Sequence, residues 1–193
     1  MSDKIDDAEL HRIVQRVLGK VMGNTDPAQP APNPPPGAAI SAGKKVVVIG
    51  ADHGGFELKD ILKTEISRLG YEIIDVGTNS KDAVDYPDFA HAVAQLVSTG
   101  KAWRGIMIDG AGIGSCIVAN KVPGVRAGMA YDISSANNSR EHNDTNVLTL
   151  GAGLIGANLA KQIVKVWLTT EFGGDRHQKR IDKIKSVEKQ YLK

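Results

Sequence analysis

Residues 104–121 read RGIMIDGAGIGSCIVANK, so that an apolar run, Ile106 to Ile108, ends on an acid, Asp109, and passes at once into a glycine-rich turn. The run reads as a short buried strand, and the segment from Ile113 to Lys121 has helical character. The same succession recurs from residue 44 onward. Strands are expected at 45–49, 71–75, up to Asp109, at 126–130 and at 147–150, and helices near 56–69, 89–98, 134–141 and 156–168. Five βα units imply an α/β fold with a doubly wound, parallel sheet.

In such a five-stranded, Rossmann-like sheet with a C-terminal helix, ligands bind beyond the carboxyl ends of the strands. That rule brings together Asp52 and His53 after the first strand and the turn after the third. There Gly110, Gly112 and Gly114 free the backbone to curl until several N–H groups converge, at the positive end of a helix. An oxyanion or phosphate fits that spot, beside the Asp109 carboxylate. A tight connection with no ligand is the competing view. A dinucleotide fingerprint is another, since Gly110 and Gly112 match its first two glycines and Asp132 follows about 20 residues on. Ser115 replaces the third glycine, however, and the turn follows the third strand rather than the first.

Further polar groups stand out. His142, in SREHNDTN, ends a helix and is either a cap or a functional group. Arg176 and Arg180, four apart in RHQKR, can clamp a phosphate from one helical face or form a solvated basic surface.

The chain has 193 residues and divides in three. Residues 1–23 carry Ile5, Leu10, Ile13, Val14, Val17, Leu18, Val21 and Met22 on an amphipathic stripe. Residues 24–43 form a Pro- and Ala-rich, semi-rigid linker, and residues 44–193 form the globular domain. The tethered helix needs a partner surface, and its balanced charges argue for docking in a groove or bundle rather than on anionic lipid. A helix packing back on its own oligomer is the alternative. Lys and Arg number 24 against 22 Asp and Glu, and the net charge of +2 is too small to argue for nucleic acid. The single cysteine, Cys116, excludes a disulfide framework, and no zinc-ligand spacing occurs. With no run of ~20 apolar residues and no signal-peptide layout, a cytoplasmic protein is expected, without membrane, metal or cofactor.

The segments GADHGGFELK, DYPDFA, GAGIGSCIVANKVPGVRA, SREHNDTNVL and GGDRHQKR, taken in order, resemble ribose-5-phosphate isomerase type B and the related galactose-6-phosphate isomerase subunits. The N-terminal helix and linker resemble the encapsulation peptides that direct cargo into bacterial microcompartments, which would place the protein in such a lumen, bound to shell or cargo protein. The family resemblance implies metal-free aldose–ketose isomerisation of a sugar phosphate through a cis-enediolate, in a homodimer or homotetramer whose sites each draw on two subunits. It makes His142 the ring-opening group, with Asp52, Tyr86 and Asn143 on sugar oxygens. His53, Arg176 and Arg180 hold the phosphate, and the backbone of Gly110, Ala111, Gly112, Ile113, Gly114 and Ser115 holds the developing oxyanion.

The sequence departs from the family pattern near the reacting atoms. Many members have a cysteine base where Asp109 stands, and others a glutamate where Ser115 stands. Asp109 is the expected replacement base and Cys116, near the helix N-terminus, the reserve. Ala111 stands where a threonine is usual, and Gly153 where many members carry a phosphate-binding arginine. Three outcomes fit: a ribose-5-phosphate isomerase with a substituted base, an isomerase of another sugar phosphate, or a non-catalytic sugar-phosphate-binding cargo or scaffold subunit.

Overall fold

Alternate residues of a strand point to opposite faces of its sheet, so a strand covered on both sides is apolar throughout. That is the condition of β3 (Arg104–Asp109) and β5 (Val147–Gly151), which are buried at every position. The structure, a computed structural model, describes residues 45–192, and the expected N-terminal helix and linker lie outside these residues. The remaining strands are β1 (Val46–Ala51), β2 (Glu72–Asp75) and β4 (Ala127–Met129). Between and after them run α1 (Phe56–Arg68), α2 (Tyr86–Ser98), α3 (Ile113–Ala119), α4 (Ile133–Glu141), α5 (Ala157–Thr169) and α6 (Asp175–Tyr191).

All strand pairs are parallel, in the order β2-β1-β3-β5-β4. Val47, Ile49, Ile106, Ile108, Leu148 and Leu150 face one core, with Leu58, Leu62 and Ile66 of α1 and Ile163, Val164 and Trp167 of α5. Val48 and Met107 face the other, with Phe89, Val93 and Leu96 of α2 and Ala119 of α3. Each such side chain contributes roughly 1.5–3 kcal/mol when fully buried. The expected doubly wound sheet is therefore present.

Two charged residues, Arg104 at its start and Asp109 at its end, are the exceptions in β3; Arg104 is held by backbone. Its Nη1 donates to the carbonyls of Trp167 and Leu168, at 2.8 and 3.0 Å, at the negative end of α5. Burial, reinforced by the nearby Arg140, pushes its pKa down to about 10.

Element ends differ slightly from expectation. α2 begins at Tyr86 rather than near 89, because Pro87 sits favourably in its first turn. Asp132, the acid that made a dinucleotide site conceivable, caps α4 instead, accepting from the Ser135 amide at 2.7 Å.

β2 and β3 flank β1 on opposite sides, so a crevice opens where the carboxyl ends of β1 and β3 diverge. Gly55 lets the β1–α1 turn cross that end closely, since a Cβ there would lie 2.4 Å from the Ile108 carbonyl oxygen. This crossing sets Asp52 beside Asp109.

Candidate active site

At the end of β1 the Asp52 amide donates to the Ile108 carbonyl at 3.2 Å, continuing the sheet, and the buried Asp52 Oδ1 accepts from the Gly55 amide at 3.0 Å. Burial raises the Asp52 pKa, with the neighbouring Asp109 charge adding to it, while the Gly55 amide and His53 pull it down. His53 is exposed, and its Nδ1 lies 3.2 Å from both the amide nitrogen and the carbonyl oxygen of Val84. The Tyr86 ring lies on the backbone of Gly114, where an added Cβ would fall 2.5 Å from Cζ.

Asp109 ends β3 and folds back over its own turn. Its Oδ1 accepts from the amides of Ala111, at 2.8 Å, and Gly112, and its Oδ2 from the amide and hydroxyl of Ser115, at 3.2 and 2.5 Å. Gly112 holds φ +79°, the left-handed conformation that turns these amides inward. The sequence reading expected a carboxylate standing beside an open anion hole. The structure corrects this: three of the expected substrate-binding amides, those of Ala111, Gly112 and Ser115, already serve Asp109. The amides of Ile113 and Gly114, in the first turn of α3, have no intrahelical partner. Gly110 carries the loop onward, its carbonyl accepting from the Gly153 amide at 3.0 Å. A Cβ at Gly153 would lie 3.0 Å from that carbonyl oxygen, so the residue lets the β5–α5 turn rest on the loop.

Cys116 does not join this group. Its Sγ points to β4, 3.5 Å from the Ala127 carbonyl and 3.6 Å from Asn120 Nδ2.

A second group assembles elsewhere. A cleft of ≈ 410 Å³ is lined by Asn138, His142, Asn143, Arg176, His177 and Arg180, with none of the residues from the ends of β1 and β3. His142 caps α4, and its Nδ1 lies 2.8 Å from Asn138 Nδ2. In the next turn Asp144 adopts φ 45° and pairs with Arg126 at 2.7 Å and Arg140 at 2.9 Å. Arg176 and Arg180 stand one turn apart on α6. His177 has its pKa lowered by partial burial first, then by His142, Arg176 and Arg180. Asn138 was missed as a site residue, although its i, i+4 spacing to His142 on a helix is a signal that can be read. His177 was visible within RHQKR but given no role.

Residues 47–184 match the family model described as Ribose/Galactose Isomerase. The chain is 44% identical over 144 residues to ribose-5-phosphate isomerase B of Escherichia coli, a match covering 75% of this chain and 97% of that protein. It is 39% identical over 145 residues to D-erythrulose-4-phosphate isomerase of Pectobacterium atrosepticum, covering 75% of this chain and 95% of that one. Among solved structures, ribose-5-phosphate isomerase B of Clostridium thermocellum superimposes with a TM-score of 0.75 at 48% identity, covering 76% of this chain and 99% of the other.

Proposed function

The chain belongs to the ribose/galactose isomerase family, and on that premise we propose that this sugar-phosphate isomerase interconverts ribose 5-phosphate and ribulose 5-phosphate through a cis-enediolate. The observation that carries the reading is the cleft in which Arg176 and Arg180 stand beside His142 and Asn143. Two forked guanidiniums match a phosphate, and a histidine next to them suits proton transfer at a ring oxygen.

In this reading His142 opens the sugar ring and His53, Arg176 and Arg180 hold the phosphate. Asp52, Tyr86 and Asn143 contact sugar hydroxyls. Asp109 moves the proton between C2 and C1, while the free amides of Ile113 and Gly114 face the developing enediolate oxygen. The two groups of residues do not share a cleft in one chain, so a second copy is needed to bring the Arg176 group to the Asp109 group. A homodimer, or a homotetramer built from two such dimers, follows. We further propose a cytoplasmic enzyme whose residues 1–23 dock it to shell or cargo protein of a bacterial microcompartment.

The test is proton exchange at C2 of ribose 5-phosphate in D₂O, followed by NMR, for wild type beside Asp109→Asn and Cys116→Ser. Exchange lost only in Asp109→Asn supports the reading. Exchange lost only in Cys116→Ser would transfer the proton step to the thiol. No exchange in wild type, despite saturable binding, would exclude ribose 5-phosphate as substrate.

A second reading, an isomerase of a different sugar phosphate, is favoured by Gly153, which offers no side chain where many members carry an arginine. A D-erythrulose-4-phosphate isomerase among the similar proteins agrees with a family that tolerates other substrates. Parallel exchange assays with four- and six-carbon aldose phosphates decide between the two.

A further inference from the structure

We propose that Ser115 is the positioning residue for Asp109, its hydroxyl being the partner that stays bonded to Oδ2 in both protonation states of the carboxyl. This rests on the isomerase reading above and assigns the proton-carrying atom within it.

The two carboxylate oxygens are held differently. Oδ1 takes two backbone amides, from Ala111 and Gly112. An amide can only donate, so a proton arriving at Oδ1 would meet two N–H groups with nowhere to turn. Oδ2 takes the Ser115 amide at a longer 3.2 Å and the Ser115 hydroxyl at 2.5 Å. A hydroxyl donates to a carboxylate and, after rotation about its C–O bond, accepts from a carboxylic acid. Oδ2 is thus the atom whose bonding survives protonation.

Ser115 is suited to nothing else in its surroundings. It is fully buried, as Asp109 nearly is, at 0% and 5% exposure, and among the described residues its hydroxyl bonds only to Asp109. Water therefore does not compete for the pair. The proton balance closes on these atoms. The C2–H bond breaks, the proton moves to Oδ2, and the electron pair forms the C1–C2 double bond as charge passes to O1. Oδ2–H then returns the proton to C1, while the O2 hydroxyl gives its proton to O1 and C2=O forms. Ser115 donates before the first transfer, accepts between the two, and donates again after the second.

The experiment compares kcat, KM and C2 exchange in Ser115→Ala, Asp109→Asn and the double variant. Ser115→Ala is expected to lower kcat by about 100-fold, the scale of a misplaced catalytic group, with KM within about twofold of wild type. Added to Asp109→Asn, it should change kcat no further, because its effect passes through the carboxyl. An equal fold-loss in both backgrounds, or a loss expressed in KM, would reduce Ser115 to a packing residue and overturn the proposal. Should Ser115→Ala fail to fold, Ser115→Cys keeps the volume but donates weakly, and wild-type kcat in that variant would overturn it equally. Wild type that exchanges no sugar-phosphate proton would instead sink the isomerase reading and the proposal with it. Wild-type turnover with an unaffected Ser115→Ala sinks only the proposal.

Discussion

His142 and His177 lie face to face, their ring centroids 4.2 Å apart and their planes within 8°. Two imidazoles so placed repel when both are charged, and Arg176 and Arg180 add to that repulsion. Partial burial first, and this repulsion after it, lower the proton affinity of His177, and an anion in the cleft would raise it again.

Inorganic phosphate should raise the His177 titration midpoint. With its pKa lowered below 6.5 in the fold, His177 contributes stability that is present above pH 6.5 and lost as pH falls through the lowered value. An anion beside it reverses the bias, so protonation of His177 contributes to tighter phosphate binding as pH drops through this range. Imidazole proton shifts followed by NMR, with and without phosphate, check both statements. An unchanged midpoint at saturating phosphate places the anion elsewhere.

Arg176→Ala and Arg180→Ala should weaken substrate binding more than they slow chemistry. Charge-assisted hydrogen bonds contribute about 1.5–3 kcal/mol, so each variant should raise KM by roughly 10- to 150-fold. Both side chains are exposed in the described chain, and the melting temperature of each variant should fall little. Steady-state kinetics read the split, and a fall in kcat alone argues against a phosphate clamp.

Asp52→Asn should stabilise the protein while impairing it. Burial holds the Asp52 pKa above its ordinary 3.8, so the folded state binds more protons than the unfolded one between the two values. Stability is then lost as pH rises through that interval, and at neutral pH the buried charge is a standing cost. Asparagine removes the charge and keeps an oxygen for the Gly55 amide. A gain of about 1 kcal/mol would raise Tm by roughly 2–4 °C at pH 7 and disappear below pH 3.8. Calorimetry across pH tests this, and a variant less stable than wild type at pH 7 contradicts it.

The fold was legible because its central strands β1, β3 and β5 are buried on both faces and so read as largely apolar runs between glycine turns. Asp52, His53, Asp109 and the loop were legible for a related reason, since all follow strands at one edge of a parallel sheet. Three features were not. The collapse of Asp109 onto the amides of Ala111, Gly112 and Ser115 depends on a left-handed Gly112, a conformation that glycine permits but does not dictate. The stacking of His142 on His177 joins residues far apart in sequence through the placement of α6, which no local pattern encodes. The direction of Cys116 toward Ala127 was likewise hidden, because helix phase decides it.

Deleting residues 1–43 should leave the domain folded and active. Among the described residues the sheet begins at Val46, and both cores are built from Val46 onward. The truncated protein should keep its melting temperature and kcat while losing co-purification with shell or cargo protein. Loss of the fold, or of its oligomeric state, would make residues 1–43 structural instead.

Two glycines near the site should respond oppositely to alanine. At Gly110 an added Cβ meets nothing within 4 Å, so Gly110→Ala costs no packing and should change stability by less than about 1 kcal/mol. At Gly55 the same atom lies 2.4 Å from the Ile108 carbonyl oxygen and 2.8 Å from its carbon, fixed backbone that cannot swing aside. Gly55→Ala must push the β1–α1 turn away from the end of β3, at a cost of roughly 1–3 kcal/mol or more. That displacement also strips Asp52 of its Gly55 amide and widens its distance from Asp109. Gly55→Ala should therefore lose both Tm and kcat/KM, and Gly110→Ala should keep its Tm whatever it does to turnover. Denaturation and kinetics on the pair decide it, and equal stability of the two variants would show that the close crossing of the β1–α1 turn over the end of β3 does not hold the site together.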